Sequence, residues 1–100
     1  MKRLDKYMTE IAELCKQYKV KTLYAFGSVL TKRFNKNSDI DLIVDFQDIP
    51  VEKYFDNYID FKFSLENVFN REVDLLEEKG IRNPFFRNIV EKKKRLVYGN

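Results

Sequence analysis

One stretch constrains the fold of this chain more than any other: Asp39 to Phe46, which reads Asp-Ile-Asp-Leu-Ile-Val-Asp-Phe. Side chains of a strand alternate between the two faces of its sheet. Ile40, Leu42, Val44 and Phe46 then share one face, and Asp39, Asp41, Ile43 and Asp45 share the other. Such a strand asks for a sheet with helices packed on its apolar side and an acidic row on the opposite side.

The flanking patterns supply the rest of that sheet. Leu4, Tyr7, Met8, Ile11, Leu14, Cys15 and Tyr18 recur at helical spacing and predict an amphipathic helix over residues 3–18. Residues 21–26, Lys-Thr-Leu-Tyr-Ala-Phe, favour a strand that Gly27-Ser28 ends. Val29 to Phe34 fits a short helix, and Asn35 to Ser38 a polar turn. Pro50 suits a first helical position, with Asp48 or Ile49 near the cap. The helix over 51–69 carries Val51, Tyr54, Phe55, Tyr58, Ile59, Leu65, Val68 and Phe69 on its apolar side, and Asn70 suits a left-handed terminal residue. Glu72 to Leu76 reads as a third strand, and Gly80 punctuates a turn. Asn83-Pro84 opens a helix running through Glu91, and Leu96-Val97-Tyr98 is an edge strand or a continuation of that helix. The expected architecture is α+β: a small mixed sheet of three to four strands with helices mainly on one face, one domain over residues 1–100.

Composition narrows the chemistry. The chain has 44% hydrophobic and 15% aromatic residues, which excludes disorder. A domain this small buries only part of its surface, so a permanent partner would add stability. Nineteen basic and 16 acidic residues leave a net charge of +3, too mild to indicate nucleic-acid binding. The one dense basic run, Lys92-Lys93-Lys94-Arg95, reads first as a solvated helix end and second as a phosphate or RNA contact. The single cysteine, Cys15, lies on the apolar face of the first helix and reads as a small buried hydrophobe. No apolar run approaches the ~18 residues of a membrane span, and no apolar stretch follows the basic N-terminus as in a signal peptide. A cytoplasmic protein is expected. There are no histidines. That removes serine–histidine and cysteine–histidine catalysis and nearly all zinc sites. Any catalysis rests on carboxylates, a metal, Lys or Arg, Ser or Tyr.

Asp39 and Asp41 are the first candidates. Two apart on a strand, they point the same way about 7 Å apart, close enough for both to reach one or two metal ions. Mg²⁺ favours a site with few carboxylates, several waters and substrate phosphates. The plainer alternative is a turn cap and an exposed strand residue. Gly27-Ser28 lies where a strand opens into a helix; glycine permits close backbone approach, and Ser28 can donate its hydroxyl to a phosphate. Alone, it is equally an ordinary turn with a serine cap.

The spacing joins these pieces. Gly27-Ser28, ten residues, then Asp39-Ile40-Asp41 on the next strand resembles the DNA polymerase β-type nucleotidyltransferase superfamily. Phe26-Gly27-Ser28 and Ser38-Asp39-Ile40-Asp41-Leu42-Ile43-Val44 look like its minimal nucleotidyltransferase branch, and the resemblance spans the chain. It implies the polymerase β-like fold, ATP as substrate, Mg²⁺ (two ions) held by Asp39, Asp41 and a third carboxylate, and catalysis by those same three residues. The third is matched by Asp74 within Glu72-Val73-Asp74-Leu75, with Glu72 as fallback. Asp74 would act as general base toward the attacking hydroxyl. Gly27 and Ser28 would bind the nucleotide. Many members continue from Gly-Ser with a small residue, then Arg and Gly, the Arg helping to hold phosphates; here Val29-Leu30-Thr31-Lys32-Arg33-Phe34 stands there, so Lys32 or Arg33 would bind the nucleotide instead. They are equally explained as solvated helix residues.

The resemblance also implies a biological role. Minimal nucleotidyltransferases commonly pair with HEPN-domain proteins as toxin–antitoxin modules, the nucleotidyltransferase being the antitoxin that transfers AMP to a tyrosine of its toxin. The acceptor site is then expected on that partner, with helix 51–69 and segment 85–98 as docking surfaces. An antitoxin acting by contact alone, and a small nucleotide- or RNA-binding adaptor, are the alternatives.

Overall fold

The computed structural model describes residues 2–99. Helix α1 (Lys2–Asp5) leads into α2 (Met8–Gln17), then strand β1 (Val20–Phe26) and a 3₁₀ turn (Gly27–Leu30). Strand β2 (Ile40–Phe46) follows, then the long α3 (Val51–Phe69), β3 (Val73–Glu77), a second 3₁₀ turn (Glu78–Gly80), α4 (Pro84–Lys93) and β4 (Arg95–Tyr98). The four strands form one sheet in the order β3-β2-β1-β4. β1 is antiparallel to both β2 and β4, whereas β2 and β3 are parallel. The sheet is therefore mixed, as the sequence predicts, and the last segment resolves as an edge strand.

The main core lies on one face. Leu23 and Ala25 of β1 and Leu42, Val44 and Phe46 of β2 meet Ile11 and Cys15 of α2 and Phe61, Leu65 and Phe69 of α3. Cys15 is buried, and burial pushes its thiol up to about 12, consistent with the inert role expected. The other face has its own cover. Phe86 of α4 meets Phe26 edge-to-face at 5.8 Å, and the Lys94 ammonium lies 4.1 Å from the centre of the Tyr24 ring. Ile43 and Val90 are buried outside the main cluster. So α4 crosses the face that carries Asp41.

Four local expectations are corrected. The helix expected over 3–18 breaks at Lys6-Tyr7: the Tyr7 amide donates to the Leu4 carbonyl at 2.9 Å, a tighter turn that brings the Tyr7 ring 5.1 Å from Phe69. The apolar stripe of α3 is phased differently: Phe61 is fully buried, while Val51 and Phe55 stay 87% and 70% exposed. Pro50 stands at the cap rather than inside the first turn. Asn70 does take the left-handed conformation, at φ 54°. Asn83 caps α4, its side-chain oxygen accepting from the amides of Phe85 and Phe86.

The helix expected over 29–34 stops at Leu30. Thr31 turns extended, and its hydroxyl bonds back to the Ser28 carbonyl at 3.0 Å, competing with helix continuation. The Arg3 guanidinium takes the carbonyls of Val29 and Thr31 that a helix would have used.

Candidate active site

The centre of the site is a row across three strands. Phe26 on β1 pairs with Asp41 on β2, and Asp41 pairs with Asp74 on β3. Adjacent strands lie about 4.8 Å apart, and residues in register on a parallel pair point to the same face. Asp41 and Asp74 are therefore neighbours by construction. Asp41 is half-buried: Ile40 and Leu42 go into the core, which turns it to the opposite face, where it packs against Gly27. Asp74 and Asp39 are exposed.

Charge crowding marks this row. Burial raises the Asp41 carboxyl above the ordinary value of 3.8, and the negative charges of Asp74 and then Asp39 raise it further. Among the described residues no Lys or Arg forms an ion pair with any of the three. Nor do three acidic groups there converge into a ready-made metal cluster. Asp41 and Asp74 adjoin, and Asp39 acts on Asp41 through its charge. Two adjoining carboxylates with a third nearby and no counter-cation fit a Mg²⁺ ion that completes its shell with water and substrate phosphates. Glu72, the fallback, contributes its backbone: its carbonyl accepts from the Ile40 amide at 3.1 Å, fixing the register that brings Asp41 beside Asp74.

Gly27 is required twice over. Its φ of +77° lies in the left-handed region, and a Cβ on it would overlap Asp41 Oδ2. What approaches this glycine so closely is the carboxylate itself. Ser28 follows, half-buried, with its carbonyl taken by the Thr31 amide and hydroxyl. Its own hydroxyl has no partner among the described residues and is free to donate to a ligand.

Two arginines missed by sequence reasoning brace the loop between Ser28 and Asp39. The Arg71 guanidinium donates to the Asn35 carbonyl at 3.0 Å and the Ser38 carbonyl at 2.8 Å, and stacks 4.4 Å from the centre of the Phe34 ring. Arg3 lies over the same ring at 5.1 Å. The only sequence signal for Arg71 is its place just ahead of β3.

The structure leaves Lys32 and Arg33 exposed in the turn after Thr31. A groove of about 840 Å³ runs beside Gly27, and neither residue lines it. Its cations are Arg3, Lys92, Lys93 and Arg95.

The site thus consists of a glycine turn abutting a strand carboxylate, with a second carboxylate in register on a parallel neighbour. The chain belongs to the polymerase β nucleotidyltransferase family: the model for "Polymerase beta, Nucleotidyltransferase" matches residues 9–100. Among curated relatives, MJ1379 of Methanocaldococcus jannaschii, a candidate protein adenylyltransferase by name, is 31% identical over 94 residues, covering 86% of this chain and 93% of that protein. Protein adenylyltransferase MntA of Thermococcus cleftensis is 27% identical, covering 78% of this chain and 76% of its own length. Two solved structures share the fold. A toxin–antitoxin with AMP-PNP superposes with a TM-score of 0.70 at 21% identity, covering 93% of this chain and 73% of that one. The Shewanella oneidensis complex of a tri-AMPylated HEPN toxin with its MNT antitoxin gives 0.64 at 19% identity, covering all of this chain and 74% of that one. Among the described residues no helix is long and apolar enough to cross a membrane.

Proposed function

We propose that this chain is a Mg²⁺-dependent protein adenylyltransferase, the antitoxin of a pair whose toxin is a HEPN-family protein. The observation that carries the reading is the row Gly27, Asp41, Asp74: a glycine turn pressed against one carboxylate, and a second carboxylate in register beside it. The names of the relatives supply the reaction class, and the toxin–antitoxin structures that share the fold supply the partner class.

ATP lies with its phosphates against Ser28, whose free hydroxyl donates to a phosphate oxygen. Asp39, Asp41 and Asp74 would hold Mg²⁺, and its charge would offset that of the phosphates. A hydroxyl of the toxin attacks the α-phosphorus, the bond from that phosphorus to the α,β-bridging oxygen breaks, and pyrophosphate leaves. Asp74, the more exposed of the adjoining pair, accepts the hydroxyl proton. Asp41, held by Gly27 and by its strand neighbours, keeps the acidic row in place. Positioning and charge complementarity supply most of the acceleration. The toxin docks on the apolar residues left outside, Val51 and Phe55 on α3 or Phe85 and Ile89 on α4.

Label transfer tests the reading. The protein, ATP labelled at the α-phosphate, Mg²⁺ and the purified HEPN partner are expected to give labelled partner, and Asp39→Asn/Asp41→Asn to give none. No transfer by the unaltered protein sinks the enzyme reading. Full neutralisation of the toxin by the double variant shows an antitoxin that acts by contact.

A further inference from the structure

We propose that the groove between the Gly27 turn, α4 and β4 seats the polyphosphate chain of the nucleotide, with Lys92, Lys93 and Arg95 as its anion-binding side chains; this rests on the adenylyltransferase reading above. Among the described residues, four cations line this groove and no acidic residue does. Lys92, Lys93 and Arg95 form no ion pair among those residues. Their neighbour Lys94 differs: it pairs with Glu91 at 3.1 Å and covers the Tyr24 ring. Arg3 is also engaged, holding the carbonyls of Val29 and Thr31. The run thus splits into Lys94, paired within the fold, and three residues that line the groove, of which Arg95 also donates to the carbonyls of Lys93 and Lys94.

The groove also lies where a phosphate chain has to go. Gly27 lines it and also abuts Asp41. One glycine therefore adjoins both the acidic row and the cation-lined groove. A triphosphate running across that glycine meets the cation-binding acids at one end and Lys92, Lys93 and Arg95 at the other. Arg95 is held in position there, because β4 pairs it with Ala25 beside the turn and its Nη1 donates to the carbonyls of Lys93 and Lys94. Basic residues in a last helical turn complement the helix dipole. That effect does not account for three of them sharing a groove free of acids. Lys32 and Arg33 stand outside it, so the cations come from the end of the fold and not from the loop after Ser28.

The experiment is calorimetric binding of AMP-PNP with Mg²⁺ to the full chain and to Lys92→Glu/Lys93→Glu and Arg95→Ala, with AMP and tripolyphosphate in parallel. Lys92 and Lys93 are exposed, so their replacement leaves the core intact. AMP-PNP affinity is expected to fall about 10-fold or more in the double variant, the scale of one or two lost charge-assisted contacts. Tripolyphosphate should stop competing, while AMP changes less than about 3-fold. Wild-type affinity for AMP-PNP in both variants overturns the groove assignment and leaves the adenylyltransferase reading standing. Unchanged AMP-PNP binding with loss of a single-stranded RNA oligonucleotide overturns it too, in favour of nucleic acid. No AMP-PNP binding by the unaltered protein is the separate outcome that removes the reading beneath it.

Discussion

Gly27 and Asp41 are packed so closely that no side chain fits between them: a Cβ on the glycine would overlap Asp41 Oδ2. The turn and the carboxylate are thus one structural unit, and changes to either are expected to be felt by the other.

Gly27→Ala tests this unit. The left-handed φ alone costs roughly 1–2 kcal/mol for an L-residue, and the new methyl drives the Asp41 carboxylate aside. Displacing a reacting group by about 1 Å costs on the order of 10²-fold in rate. Thermal unfolding and AMP transfer should both suffer, transfer far more. A variant that unfolds earlier yet transfers normally would show that Asp41 tolerates the shift.

Asp41→Asn separates stability from activity. The folded carboxyl is raised by burial and by Asp74 and Asp39, so folding favours its protonated form. In metal-free protein this group's contribution is most favourable below the ordinary carboxylate value and is lost as pH rises through the raised range. The uncharged variant escapes that loss. Melting temperatures followed against pH in EDTA should diverge in favour of Asp41→Asn above about pH 4, while AMP transfer falls on the order of 10²–10³-fold. Parallel melting curves would contradict the crowding.

Arg71→Ala should loosen the approach to Asp39. It removes two bonds to the carbonyls of Asn35 and Ser38 and the stack on Phe34. Loss of charged hydrogen bonds of this kind costs about 1.5–3 kcal/mol. Arg71→Lys should recover less than half, since an ammonium has neither the fork nor the plane. Urea unfolding reads the stability, and the KM for ATP should rise as Asp39 loses its fixed position. An equal effect of Lys and wild type would reduce the guanidinium to a plain charge.

Glu66 pins the start of β3 by accepting from the Val73 amide at 2.9 Å, and it pairs with Lys62 at 3.3 Å. The Val73 bond, more than Lys62, holds its carboxyl below the ordinary value of 4.5. A depressed acid adds stability above its unfolded value and loses it as pH falls. Glu66→Gln should therefore cost roughly 0.5–1 kcal/mol at neutral pH, with the gap to wild type closing below about pH 4.5. A gap that persists into acid would assign the effect to packing.

The strands and the acid row were legible because alternation is a local property: Ile40, Leu42 and Val44 dictate where Asp41 points. The spacing of Gly27-Ser28 from Asp39 carried the family, since it joins two strands through one loop. What stayed hidden depends on distant partners. Arg3 ends the helix expected over 29–34 by taking its carbonyls, and nothing near residue 29 announces an arginine at position 3. Phe61 replaced Phe55 in the core because the sheet chooses the buried phase of a helix with aromatics on several sides. The basic run at Lys92 reads as solvated until β4 folds back beside β1 and swings it toward Gly27.

The parallel pairing of β2 with β3 has a temporal meaning. Parallel neighbours cannot be joined by a tight hairpin, so the chain crosses the sheet through all of α3 before Asp74 meets Asp41. Contacts of such sequence separation form late, after the entropy of closing the loop has been met. A chain with α3 undocked already holds its glycine turn and the Asp39-Asp41 pair, yet has no carboxylate beside Asp41. The pair of adjoining carboxylates therefore exists only in chains that have completed this crossover, so it reports on tertiary closure and not on local structure.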